Sequence, residues 1–176
     1  MSSTAAVAAH GAHAEHHALG FWRTYVFSED HKMIARQFLF MALFMMSVGG
    51  LMAMLMRLDL AWPDTQWKIL GYFPSFLQSD SAITPNIYNS MLTMHATIMI
   101  FFVVMPILVG CFGNFLIPLM IGARDMAFPK LNMLSFWVGA VAGVIMLSSF
   151  FVTGGPAAAG WTSYAPLSAV PIYTGV

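Results

Sequence analysis

From Gln37 to Met56 the sequence carries no charged residue, and Arg36 and Arg57 close the run at either end. About 20 apolar residues are what a helix needs to cross roughly 30 Å of hydrocarbon. Within that layer no water reaches the backbone, so the segment must satisfy its own N–H and C=O groups, which a helix does. From Ser81 to Ala123 the chain again lacks Asp, Glu, Lys and Arg, and a further such run covers residues 132–153. These runs predict an all-α integral membrane chain with three transmembrane helices. Composition agrees: 59% of the residues are hydrophobic and only 8% charged, against about a quarter charged in soluble domains. A net charge of zero gives no reason to expect a nucleic acid partner. The single cysteine, Cys111, lies in an apolar run, so no internal disulfide is available.

Residues 1–19 are rich in Ala and His and lack the cationic start and apolar stretch of a secretory signal, so a flexible tail is expected. In residues 20–35 the rings of Phe21, Trp22, Tyr25 and Phe27 flank Arg23, a mixture that favours the headgroup layer. Ser28, Glu29 and Asp30 then supply a cap and negative charge suited to a helix N-terminus. The first span is assigned to residues 36–57. Residues 58–85, with Asp59, Asp64, Lys68, Asp80, Pro63 and Pro74, read as an outer loop. Residues 86–121 predict one long helix, on the order of 50 Å, which must tilt or project from the bilayer. Pro106 is expected to kink it. Residues 122–131 form a short polar loop, 132–153 the third span, and 154–176 an outer tail rich in Gly, Pro, Ala and Ser.

Arg23, Lys32 and Arg36 precede the first span, and Arg124 and Lys130 lie between the second and third. Only Arg57 and Lys68 fall on the other side. The positive-inside rule therefore expects the N-terminus and the 122–131 loop in the cytoplasm.

His95 stands out chemically. It lies about nine residues, or roughly 13 Å, into the second span, where ionisable groups are costly and tend to serve function. Imidazole is an axial ligand for haem iron, and it is equally a group that a neighbouring helix can satisfy. Depth alone leaves these two readings level. Arg57, taken to lie at the same outer depth, is by itself a snorkelling flank residue; its other reading is a donor fork for a polar group on a buried cofactor. Asp59 is a solvated loop acid or an oxygen ligand for a hard cation. Asn114 follows His95 by nineteen residues, hence about 100° around the helix and some 28 Å further in. With Asn132 and Asp125 it marks the cytoplasmic end, where amides can hold water chains and a carboxylate can collect protons. The plainer reading pairs Asp125 with Arg124 and makes Asn132 a helix cap. His10, His13, His16 and His17 fit one helical face, but an unstructured tail is the simpler state. Trp161 and Tyr164 read as interface anchors.

The run Met94-His95-Ala96-Thr97-Ile98-Met99-Ile100-Phe101-Phe102, then Phe112-Gly113-Asn114, then the stretch from Pro118 to Pro129 (PLMIGARDMAFP) and Ser135-Phe136-Trp137, resembles subunit I of the haem–copper oxygen reductases. Asp30-His31-Lys32, Gly160-Trp161-Thr162 and Tyr164 resemble further stretches in the same order, so the likeness covers residues 25–168. The resemblance implies that the three spans form part of a larger transmembrane helix bundle, in a terminal oxidase that reduces oxygen to water and pumps protons. By it, His95 is an axial ligand of the low-spin haem, Arg57 bonds the formyl group of haem A, and Trp161 and Tyr164 belong to the cofactor surroundings. Asp125 is the entrance carboxylate of a proton pathway whose lower part Asn114 and Asn132 line. Asp59 stands where some members hold a calcium or sodium ion, although Glu is common there. The third span lacks an acid that some relatives carry near its outer end.

A haem held by two histidines needs a second transmembrane His, which this chain lacks. The resemblance assigns the high-spin haem, copper B and a cross-linked tyrosine to later helices, so the remainder of subunit I is an expected partner. The tail at Val176 favours a truncated subunit over a split one. Copper-bearing subunit II, subunit III, the lipid bilayer and cytochrome c, or another respiratory complex as donor, complete the expected partners, in a multi-pass protein of a bacterial plasma membrane. Two alternatives stay open: a haem b electron-transfer subunit or quinol oxidase relative, and a structural or assembly chain.

Overall fold

The computed structural model describes residues 20–63, 65, 83–152 and 155–169. The histidine cluster, most of the outer loop with Asp64, Lys68, Pro74 and Asp80, and residues 170–176 lie outside the described residues. Three helices long and apolar enough to span a membrane, α1 (His31–Ala61), α2 (Pro85–Met120) and α3 (Pro129–Ser148), run up, down and up, and the described residues contain no strand.

A short π-turn, Trp22–Val26, precedes α1. The Asp30 carboxylate then caps α1, accepting from the Lys32 N–H at 3.1 Å. Only Ile34 and Val48 are β-branched in the 31 residues, and the Leu, Met and Ala around them favour the helix. At 1.5 Å per residue α1 is about 46 Å long, so it overshoots the hydrocarbon at both ends. Arg36 and Arg57 close the uncharged run, and the helix continues past both of them.

Thr84 caps α2, with Pro85 at its first position, where a missing N–H costs nothing. The helix is α-helical as far as Thr97. It then widens to π geometry over Ile98–Val104 and Pro106–Gly113, and returns to α at Asn114–Met120. The widening brackets Pro106: the Met105 N–H reaches five residues back to the Ile100 carbonyl. The chain thus accommodates the proline by local rewinding and continues as one span. At the far end Ala123 N–H bonds Pro118 O and Gly122 N–H bonds Leu119 O, with Gly122 at φ +69°, a Schellman stop.

Helix α1 packs along the whole of α2 and also touches α3. Two clusters form the core. One, rich in methionine, joins Met45, Met52 and Met56 of α1 to Met91, Met94 and Ile98 of α2. The other, nearer the α1 N-terminus, joins Ile34 and Phe38 to Cys111 and Phe136. Two glycines permit the close approach. A Cβ at Gly49 would lie 3.0 Å from Met99 Sδ, and one at Gly110 would sit 2.6 Å from the Phe38 ring. Helix α3 is thinly packed, with 11% of its most apolar window buried against 28% for the other two spans. Most of its surface is therefore left for lipid or for further helices.

Candidate functional site

The α-helical first section of α2 carries His95 to the α1 backbone, where Nδ1 lies 2.8 Å from the Gly49 carbonyl oxygen. A carbonyl only accepts, so Nδ1 is the donor, and in the neutral ring that leaves the lone pair on Nε2. Metal-binding histidines are commonly oriented in this way, the second ring nitrogen being fixed by a backbone carbonyl. Gly49 eases the contact, because a Cβ there would press on Met99 Sδ at 3.0 Å and Ile98 Cγ2 at 3.3 Å.

Arg57 does not share the depth of His95. It lies eight residues beyond Gly49, about 12 Å nearer the outer end of α1, and it is exposed. Counting residues inward from each span end misplaces the pair, since it does not show which α1 residue lies beside His95, and that residue is Gly49. Asp59 is half-buried in a cleft of about 370 Å³ with Ile83, Pro85, Tyr88 and Asn89. Among the described residues no group of three or more His, Cys, Asp or Glu side chains gathers to hold a metal ion.

The segment 155–169 is fastened to α2. Ser90 Oγ donates to the Pro156 carbonyl and Gly160 N–H donates to Thr93 Oγ1, both at 3.0 Å. These bonds bring Trp161 to the level of α2 that carries His95, with its ring 6.3 Å from that of Phe101. Tyr164 is 77% exposed, and no hydrogen bond among the described residues joins either ring to His95.

The opposite end differs in kind. Between the three helices lies a cavity of about 370 Å³, walled by Phe38, Pro106 and Gly110 and lined by Asn114, Asn132 and Ser135. Asn114 is buried and its Nδ2 donates to the Gly110 carbonyl at 2.8 Å. Asn132 lies a turn inside α3, away from the cap position, and its Nδ2 is buried without a partner. A buried donor without an acceptor is costly; the cavity wall is mostly apolar, and Asn114, Asn132 and Ser135 form its polar side. Ser135, whose Oγ donates to the Asn132 carbonyl at 2.7 Å, joins the lining. Its signal in the sequence is its spacing, one turn after Asn132.

Asp125 pairs with His31 across 94 positions of sequence, in place of its neighbour Arg124. His31 Nδ1 lies 3.2 Å from Asp125 Oδ1 and 3.6 Å from Asp30 Oδ1. His31 is buried and its Nε2 has no partner, whereas the Asp125 side chain is 45% exposed and also accepts from the Met126 N–H. A half-solvated carboxylate thus adjoins a sheltered imidazole. Only the Asp30-His31-Lys32 likeness pointed to His31 beforehand.

A family model described as Cytochrome C and Quinol oxidase polypeptide I matches residues 33–176. The chain is 47% identical over 161 residues to cytochrome c oxidase subunit 1 of Thermostichus vulcanus, covering 91% of this chain and 26% of that protein. It is 43% identical over 151 residues to the alternative cytochrome c oxidase subunit 1 of Bradyrhizobium diazoefficiens, covering 86% and 23%. To quinol oxidase subunit 1 of Bacillus spizizenii it is 42% identical over 147 residues, covering 84% and 20%. The chain spans about a quarter of the length of these relatives.

Proposed function

Because the chain belongs to the cytochrome c and quinol oxidase polypeptide I family, we propose that it is the N-terminal part of the catalytic subunit of a proton-pumping terminal respiratory oxidase. That oxidase reduces oxygen to water with electrons from cytochrome c. The observation that carries the reading is the His95–Gly49 bond, which fixes the ring and leaves Nε2 for iron. The residues present fit a low-spin haem A: His95 would ligate it and Arg57, further out on α1, would meet its formyl group. Trp161 and Tyr164 would border it from the 155–169 segment. When bound, the haem supplies reversible one-electron transfer between the donor and the oxygen-reducing centre. The second axial histidine, the high-spin haem and copper B belong to the remainder of subunit I. Copper-bearing subunit II and subunit III are the proposed protein partners, and Asp59 would offer an oxygen to a calcium or sodium ion.

At the other end the residues handle protons. Asp125, half in solvent, takes a proton at its carboxylate, and His31 holds that carboxylate in place. Asn114 and Asn132 then orient water in the cavity between the helices, each amide offering a donor and an acceptor. In this reading the N-terminus and the loop at residues 122–131 are cytoplasmic, in a bacterial plasma membrane, which the basic residues Arg23, Lys32, Arg36, Arg124 and Lys130 on that side support.

The quinol oxidase relative keeps a second donor in view. A reduced-minus-oxidised spectrum of the purified complex, with turnover on reduced cytochrome c and on quinol, decides. A haem A band with cytochrome c turnover is expected. A haem b band with quinol turnover alone would support the second reading, and no haem band would sink both.

A further inference from the structure

Away from both sites, the π-turn and the start of α1 enclose a groove of about 300 Å³ lined by Tyr25, Met33, Arg36, Gln37 and Phe40. Gln37 builds it. Its Nε2 donates to the Tyr25 carbonyl at 2.6 Å and to the Val26 carbonyl at 3.0 Å, which fastens the turn to the helix. The Phe21 and Tyr25 rings, 5.1 Å apart, stiffen the wall so formed.

The lining is graded in polarity. Arg36 is exposed at the upper end with Tyr25, and Phe40 lies one turn, about 6 Å, deeper along α1. Below it Phe44 and Leu51 continue the same face and stay exposed, so an apolar stripe runs from the groove into the bilayer. Lys32 sits one turn above Arg36, and Arg23 lies in the turn; both are exposed. Of the acids nearby, Glu29 is exposed, while Asp30 is committed to the helix cap and to His31. A cation with a planar donor fork at headgroup depth, above an apolar track, matches an anion that carries an acyl chain.

We propose that this groove holds one anionic phospholipid, its phosphate on the Arg36 guanidinium and the Tyr25 hydroxyl and one acyl chain along Met33 and Phe40. The occupant is a lipid because the phosphate supplies the charge Arg36 lacks and the chain covers the stripe below it. The proposal rests on α1 spanning the membrane and is independent of any role for His95.

The test uses the intact complex in mild detergent, with bound lipid counted by native mass spectrometry after exchange against phosphatidylglycerol or phosphatidylcholine vesicles. Wild type is expected to retain one phosphatidylglycerol that phosphatidylcholine does not replace. Retention should weaken about tenfold in Arg36→Gln and about threefold in Phe40→Ala, with Arg36→Lys between wild type and Arg36→Gln. Equal retention in wild type and Arg36→Gln overturns the proposal. So does phosphatidylcholine bound equally well, or release of the lipid by inorganic phosphate alone. A photoreactive group at position 33 should label phosphatidylglycerol; labelling of a neighbouring polypeptide instead would show that protein covers the groove and would end the proposal. Phe40→Ala leaves the charge in place, so the loss of retention there reports the acyl-chain contact, and full retention in that variant overturns the placement of the chain along Phe40.

Discussion

The two ends of the helix pair treat buried polar groups in opposite ways. Around His95 the protein satisfies the side chain from its own backbone, through one short bond to Gly49. Around Asn132 it leaves a buried donor without a partner beside a cavity, and His31 Nε2 is left likewise. A fixed backbone acceptor gives the His95 ring one orientation, whereas the Asn132 amide and the His31 Nε2 are given no protein partner among the described residues, as the proposed proton-handling role would require of groups that meet water. The helix between the ends differs too: it is α-helical up to Thr97 beside His95, and π-wound through much of the stretch that leads to Asn114.

Removing the first end should have the largest effect. His95→Ala is expected to bring turnover of the complex to background, because the proposed electron route runs through the haem that His95 would ligate; turnover near wild type would remove His95 from the electron path. Asp125→Asn comes next, with proton uptake and turnover lowered by about tenfold or more, in the range for loss of a positioned acid–base group. Full pumping in that variant would refute the pathway role.

Smaller effects sharpen the contrast. Gly110→Ala forces a methyl against the Phe38 ring and should cost about 1–3 kcal/mol of stability, read as a lowered Tm, because a packed ring on the helix interface yields little. Asn132→Leu removes the orphaned donor, so thermal stability should hold or rise slightly while proton uptake slows. An unchanged uptake rate would leave the cavity a packing defect. Gly49→Ala should be mildest, because its neighbour is the flexible thioether of Met99, and a shift of the low-spin haem band with little change in Tm is expected.

Much of the architecture was legible. Uncharged runs located the three spans, and Asp30 could be read as a cap because its side chain acts locally. The π winding could not be read, since Pro106 announces a missing donor but leaves open whether the helix bends or rewinds. The position of Arg57 relative to His95 was misjudged because residue counts do not show which part of α1 packs beside His95. The His31–Asp125 pair escaped notice because its partners are far apart in sequence and only the packing of α1 beside the α2 exit joins them. Asn132 showed its identity as an amide but not its unsatisfied state, which is a property of the surrounding helices.

The separation of the two ends is tested most directly by reduced-minus-oxidised spectra of the intact complex carrying His95→Ala or Asp125→Asn, recorded side by side. The expected result is loss of the low-spin haem band in His95→Ala and an unaltered band in Asp125→Asn. A low-spin band that survives without the His95 imidazole would contradict the account.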